Sequence, residues 1–92
     1  MIRSFKDAAT HAFFLDRRHR RFANIAATAL RKLDQMEAAT GLTDLREPPG
    51  NRLEPLHGNR AGQHSIRIND QFRICFVWKS DGAHDVEITD YH

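Results

Sequence analysis

Phe72, Ile74, Phe76 and Trp78 sit at alternate positions of one short run, with Arg73, Cys75 and Val77 between them. Alternation of this kind sends successive side chains to opposite sides of a pleated strand, so one side is apolar and the other mixed. Rings of this size need a covering layer. The preceding run, Gln63 to Ile68, repeats the pattern with Ile66 and Ile68 on one side and Ser65 and Arg67 on the other. Val86 and Ile88 anchor a last strand, and Ser80-Asp81-Gly82 and Asn69-Asp70 supply the turns. Arg52 to Leu56 also alternates, but Pro55 restricts it to an edge or a bulge. The second half is therefore an antiparallel sheet.

The first half supplies the cover. Phe22, Ala26, Leu30, Leu33 and Met36 draw an apolar stripe at helical spacing, with Arg31, Lys32, Asp34 and Glu37 mostly off it. Gly41 is placed to end this helix in the left-handed conformation, and Leu42 to Arg46 can add a turn before Glu47-Pro48-Pro49-Gly50. Upstream, Asp7 caps a short helix over 8–15 with Phe13 on its buried side, and Met1 to Phe5 suits a first strand. Asp16 to Arg21 breaks the apolar pattern. Its four arginines repel one another, which predicts an exposed, mobile connection. The layout is α+β: a short N-terminal strand and two helices packed on a curved antiparallel sheet, in one domain over 1–92.

Composition narrows the setting. One cysteine, Cys75, excludes an internal disulfide and favours a reducing, cytoplasmic compartment. No apolar run reaches the ~20 residues that span a bilayer, and the first residues do not read as a signal peptide. Of 14 basic residues 11 are arginine, and 1–46 carry nine basic against five acidic groups. That bias predicts either an anion-binding face, with nucleic acid as one candidate ligand, or a solvated surface.

Gly58-Asn59-Arg60-Ala61-Gly62, Ser65-Ile66-Arg67-Ile68-Asn69, Arg73-Ile74, the closing Asp90-Tyr91-His92 and the opening Ile2-Arg3-Ser4-Phe5 form a combined pattern. In that combination the chain resembles the HigB branch of the RelE-like toxins of type II toxin–antitoxin systems. The resemblance implies a RelE-like fold and a ribosome-dependent messenger-RNA endoribonuclease that inhibits translation. It also implies a HigA-like helix-turn-helix antitoxin as partner, with DNA bound only through the antitoxin complex. Ribosome and mRNA are the other partners, and no cofactor, metal or membrane is involved. The chemistry would be attack of a ribose 2′-hydroxyl on the adjacent phosphate.

Such a reaction needs a base, an acid and cations for the charge growing on phosphorus. His92 is the leading proton carrier; without the resemblance it reads as a bare chain-end histidine. Tyr91 would stack on a base or bond the phosphate, or simply pack. Asp90 would orient a histidine or meet a base edge, or be a surface carboxylate. Arg73 is the cation best suited to fork onto two phosphate oxygens, and Arg67 follows the same logic on the neighbouring strand. Arg60, between two glycines, would clamp RNA or pin its own loop; His57 would be a second proton carrier or a phosphate contact. Catalytic candidates are thus His92, Tyr91, Arg73 and Asp90, and RNA-binding candidates Arg60, Arg67 and His57.

Relatives often carry histidine or lysine in the 53–57 stretch, where Glu54 and His57 stand here, so acid and base stay unassigned. His64 shares the parity of Ile66 and Ile68 and is expected to be buried and hydrogen-bonded. Cys75 reads as packing, and His11, His19 and His84 as surface. Three other classes remain open: an inactive module of the same fold that binds antitoxin, a non-catalytic RNA- or DNA-binding protein, and an enzyme acting on small anionic substrates, against which the lack of a cofactor motif counts.

Overall fold

The computed structural model describes residues 1–90. Three helices, α1 (Ala8–Asp16), α2 (Ala26–Ala38) and α3 (Thr43–Arg46), precede four strands: β1 (Glu54–Pro55), β2 (His64–Arg67), β3 (Phe72–Lys79) and β4 (Gly82–Asp90). The sheet is antiparallel in the order β1-β2-β3-β4, and β1 is a two-residue edge strand at Pro55, as the proline requires. Ile66, Ile74 and Ile88 face one another across β2, β3 and β4 and are buried. Phe13 of α1 and Leu33 and Met36 of α2 join them in one apolar core.

Asp7 caps α1 by accepting from the Thr10 N–H at 3.3 Å. Gly58 (φ +64°) and Gly62 (φ +91°) take the positive angles expected of their turn, and β3 and β4 join through Ser80-Asp81. The β3–β4 ladder is irregular. Cys75 pairs with Glu87 and Val77 with His84, so two steps of β3 meet three of β4, and the extra residue falls by Asp85 at φ +51°.

Five local expectations are corrected. Met1 to Phe5 does not form a continuous strand; it touches β4 through isolated parallel bridges, Ile2–Ala83 and Phe5–Val86, because the bulge at Asp85 breaks the pleat between them. The connection at 16–21 is structured. Arg17 closes α1 in the left-handed conformation and pairs with Asp34 at 2.6 Å, and the His19 ring accepts from the Arg21 N–H. That ring opens a 3₁₀ turn over Arg20–Ile25, so the α-helix starts at Ala26, not Phe22. Gly41 is not the terminator of α2. The helix stops at Ala38, Ala39 turns extended, and the Asp44 carboxylate takes the Thr40 N–H at 2.9 Å. Lys32 is not off the buried stripe; it is 5% exposed.

Candidate active site

With the isoleucines on the helix side, the intervening residues define the opposite side of the sheet. Register arranges them in two rows. Glu54, Ser65, Cys75 and Glu87 lie across the four strands, and beside them Arg67, Arg73 and Thr89 lie across β2 to β4. The second row carries two guanidiniums opposite each other; the first carries a carboxylate at either end.

Arg73 is held closely. Its Nε donates to Ser65 Oγ at 2.7 Å and an Nη donates to the Arg52 carbonyl at 2.9 Å. The same Nη lies 3.3 Å from Glu54 Oε1, and the side chain is 13% exposed. Parity put Arg73 away from the apolar side, and there it is. Like charges facing across a ladder repel, and each of the two has a carboxylate: Glu54 for Arg73 and the exposed Asp70 for Arg67.

Arg60 lies at the end of its turn, bonded to side chains on both sides of it. It donates to Gln63 Oε1 at 3.0 Å and to Glu87 Oε1 at 2.7 Å, joining the 58–62 turn to β4. Lys6 approaches the same carboxylate at 3.9 Å. Asp90 ends β4 opposite Phe72 and accepts from the Gln71 side chain at 2.9 Å. His57 is exposed and bonds no described side chain. Tyr91 and His92 lie outside the described residues.

His64 is only partly as expected. It is half-buried, its ring lies against Phe76 at 6.2 Å, and Nδ1 is buried without a hydrogen-bond partner among the described residues. Cys75 is buried. His11 is exposed and stacks on Phe5, while His84 bonds Asp81 at 2.7 Å. Among the described residues, no three His, Cys, Asp or Glu stand together to hold a metal ion, and no helix is long and apolar enough to cross a membrane.

Three residues escaped the reading by pattern. Ser65 is buried as the acceptor for Arg73. Asn51, 1% exposed, donates to the Leu45 carbonyl and to Gln35. The Lys32 ammonium donates to the Gly50 and Arg67 carbonyls. Burial pushes the Lys32 pKa down, and the charges of Arg31, Arg67 and Arg73 push it the same way. The only sequence signal was the Ser-Ile-Arg alternation, which puts Ser65 on the side of Arg67.

Two solved structures of YoeB from Staphylococcus aureus share this backbone. One is a YoeB–YefM complex, with TM-score 0.60, 20% identity and coverage of 100% of this chain and 98% of that one. The other is a YoeB dimer, with TM-score 0.60, 21% identity and coverage of 99% and 94%. At that identity the likeness is one of fold: helices on an antiparallel sheet in the manner of the YoeB toxins. Sequence is more specific. The family described as the RelE-like toxin of type II toxin–antitoxin system HigB matches residues 3–92. Toxin HigB-1 of Vibrio cholerae is 46% identical over 80 residues, 85% of this chain and 84% of that protein. An uncharacterized protein of Haemophilus influenzae is 33% identical over 64 residues, 70% of this chain and 63% of that protein. The chain belongs to the HigB-like family of RelE-type toxins, the toxin component of type II toxin–antitoxin systems.

Proposed function

We propose that this toxin is a single-domain, ribosome-dependent messenger-RNA endoribonuclease acting in the cytoplasm, neutralised by a HigA-like helix-turn-helix antitoxin. The observation that carries the reading is the row Arg67–Arg73, two guanidiniums facing each other on the side of the sheet away from the helices. Arg73 grips the non-bridging oxygens of the scissile phosphate, where negative charge grows as the 2′-hydroxyl attacks. His92 exchanges the proton that moves between the 2′-oxygen, solvent and the departing 5′-oxygen. The products are a cyclic phosphate and a 5′-hydroxyl. Tyr91 and Asp90 precede this group in sequence and contact base or phosphate; Arg67 binds the adjoining phosphate. A chain this small has few groups with which to orient RNA, which is why the ribosome supplies the positioning.

One observation favours a second reading, an inactive module that binds antitoxin: Glu54 stands on Arg73 where a phosphate would sit. The same experiment separates the two. Wild type, Arg73→Ala and His92→Ala are incubated with ribosomes translating a defined mRNA, and the new RNA ends are mapped. Cleavage by wild type and a loss of ~10² or more in each variant support the nuclease. No cleavage by any of the three supports the inactive module. Equal cleavage by all three removes both residues from the chemistry.

A further inference from the structure

Gly50, Asn51 and Arg52 present three successive carbonyls, and each receives a donor from a different element. The Gly50 carbonyl takes the Lys32 ammonium of α2 at 3.4 Å, the Asn51 carbonyl takes the Arg67 N–H of β2 at 2.6 Å, and the Arg52 carbonyl takes the Arg73 guanidinium of β3 at 2.9 Å. Lys32 also reaches the Arg67 carbonyl, so it holds both sides of the junction between the turn and β2. From these contacts we propose that Lys32 is a positioning residue for Arg73, acting through the Gly50–Arg52 turn. The inference rests on the reading that Arg73 binds the scissile phosphate.

Within itself the turn has one long bond, from the Asn51 N–H to the Pro48 carbonyl at 3.3 Å. Gly50 has φ +87° and Arg52 φ +47°, and a left-handed arginine persists only where its surroundings impose it. Two groups impose it from the core side: the buried Asn51 amide, bonded to the Leu45 carbonyl and Gln35, and the Lys32 ammonium. The placement of Lys32 is costly. It is 5% exposed, no described carboxylate pairs with it, and the charges of Arg67 and Arg73 disfavour its own. An apolar side chain on that helix stripe would fill space without this cost. What the ammonium adds is strong donors for two carbonyls, those of Gly50 and Arg67, that a methionine cannot satisfy. Without it the Arg52 carbonyl loses its fixed place, and Arg73 keeps Ser65 and Glu54 but loses the anchor that sets the angle of its plane. Displacement of a gripping group by about 1 Å is enough to slow a reaction ~10²-fold.

The test is a double-mutant cycle on cleavage of ribosome-bound mRNA under single-turnover conditions, with wild type, Lys32→Met, Arg73→Ala and the double variant. Lys32→Met is expected to slow cleavage ~10-fold or more, and to add nothing once Arg73 is alanine. A side chain that only stabilised the fold would slow both backgrounds equally, so fold-changes that multiply overturn the proposal. Lys32→Gln, which keeps a donor without the charge, is run in parallel. It is expected to fall between wild type and Lys32→Met, and it carries the cycle if the methionine variant does not fold. Impaired Arg73→Ala beside unimpaired Lys32 variants overturns the Lys32 inference alone. Unimpaired Arg73→Ala overturns the reading beneath it.

Discussion

Arg73 Nε and Ser65 Oγ meet at 2.7 Å although the two residues are diagonal in the β2–β3 ladder, where Ser65 pairs with Cys75 and Arg73 with Arg67. The hydroxyl is buried, so its loss strands a guanidinium N–H in a site with little water. Ser65→Ala is expected to cost about 1–3 kcal/mol in denaturant unfolding and to slow mRNA cleavage. Unchanged cleavage in a destabilised Ser65→Ala protein would show that the hydroxyl serves the fold only.

Glu54 lies 3.3 Å from Arg73 with its own side chain 53% exposed. An exposed carboxylate contributes little to stability, yet it competes with any incoming phosphate. Glu54→Gln is expected to tighten RNA binding severalfold at low salt, with the gain shrinking as salt screens the pair. A fall in cleavage of ~10² or more would instead assign Glu54 as the base.

Arg60 and Glu87 form the pair that ties the 58–62 turn to β4, with Glu87 17% exposed. Arg60→Ala leaves that carboxylate with only the more distant Lys6 among its described cations. The expected result is a loss of about 1–2 kcal/mol in stability with cleavage nearly unchanged. Loss of RNA binding without loss of stability would return Arg60 to an RNA-clamping role.

Gly82 stands where the N-terminal segment crosses β4. Its φ is +131°, and a Cβ there would overlap the Met1 carbonyl. Gly82→Ala is expected to destabilise by about 2–4 kcal/mol, measured as a lowered midpoint in thermal unfolding.

Lys32 also predicts a pH dependence. Its pKa is lower in the folded chain than the ordinary 10.5, so at alkaline pH the unfolded chain binds the extra proton and unfolding free energy rises with pH up to about that value. Compared with Lys32→Met across the same range, wild type is expected to gain stability as pH rises. A flat difference between the two proteins would mean that the ammonium carries no burial cost.

Much of the layout was readable because it rests on periodicity. The alternation around Phe72–Trp78 and Ile66–Ile68, the stripe from Phe22 to Met36 and the edge confined by Pro55 are local patterns, and each reappears as an element, the stripe as an α-helix only from Ala26 onward. The errors fall where a side chain or bulge outside the hydrophobic pattern overrode it. Gly41 lost its expected role because Asp44 reached back to Thr40, and Met1 to Phe5 failed to form a full strand because Asp85 bulges in β4.

Parity in the sequence was enough to put Arg67 and Arg73 on the same side of the sheet, since alternation along a strand is a property of the chain alone. Which atoms hold Arg73 in place was a tertiary matter: Ser65, the Arg52 carbonyl and Glu54 come from other segments, and only the pairing register brings them within reach. Lys32 shows the limit most clearly. On a helical wheel it is one more charged residue, and its burial against the carbonyls of Gly50 and Arg67 depends on segments far from it in sequence, the turn at 50–52 and the end of β2. Hydrophobic spacing is written along the chain, whereas the satisfaction of buried polar groups depends on partners far away in it.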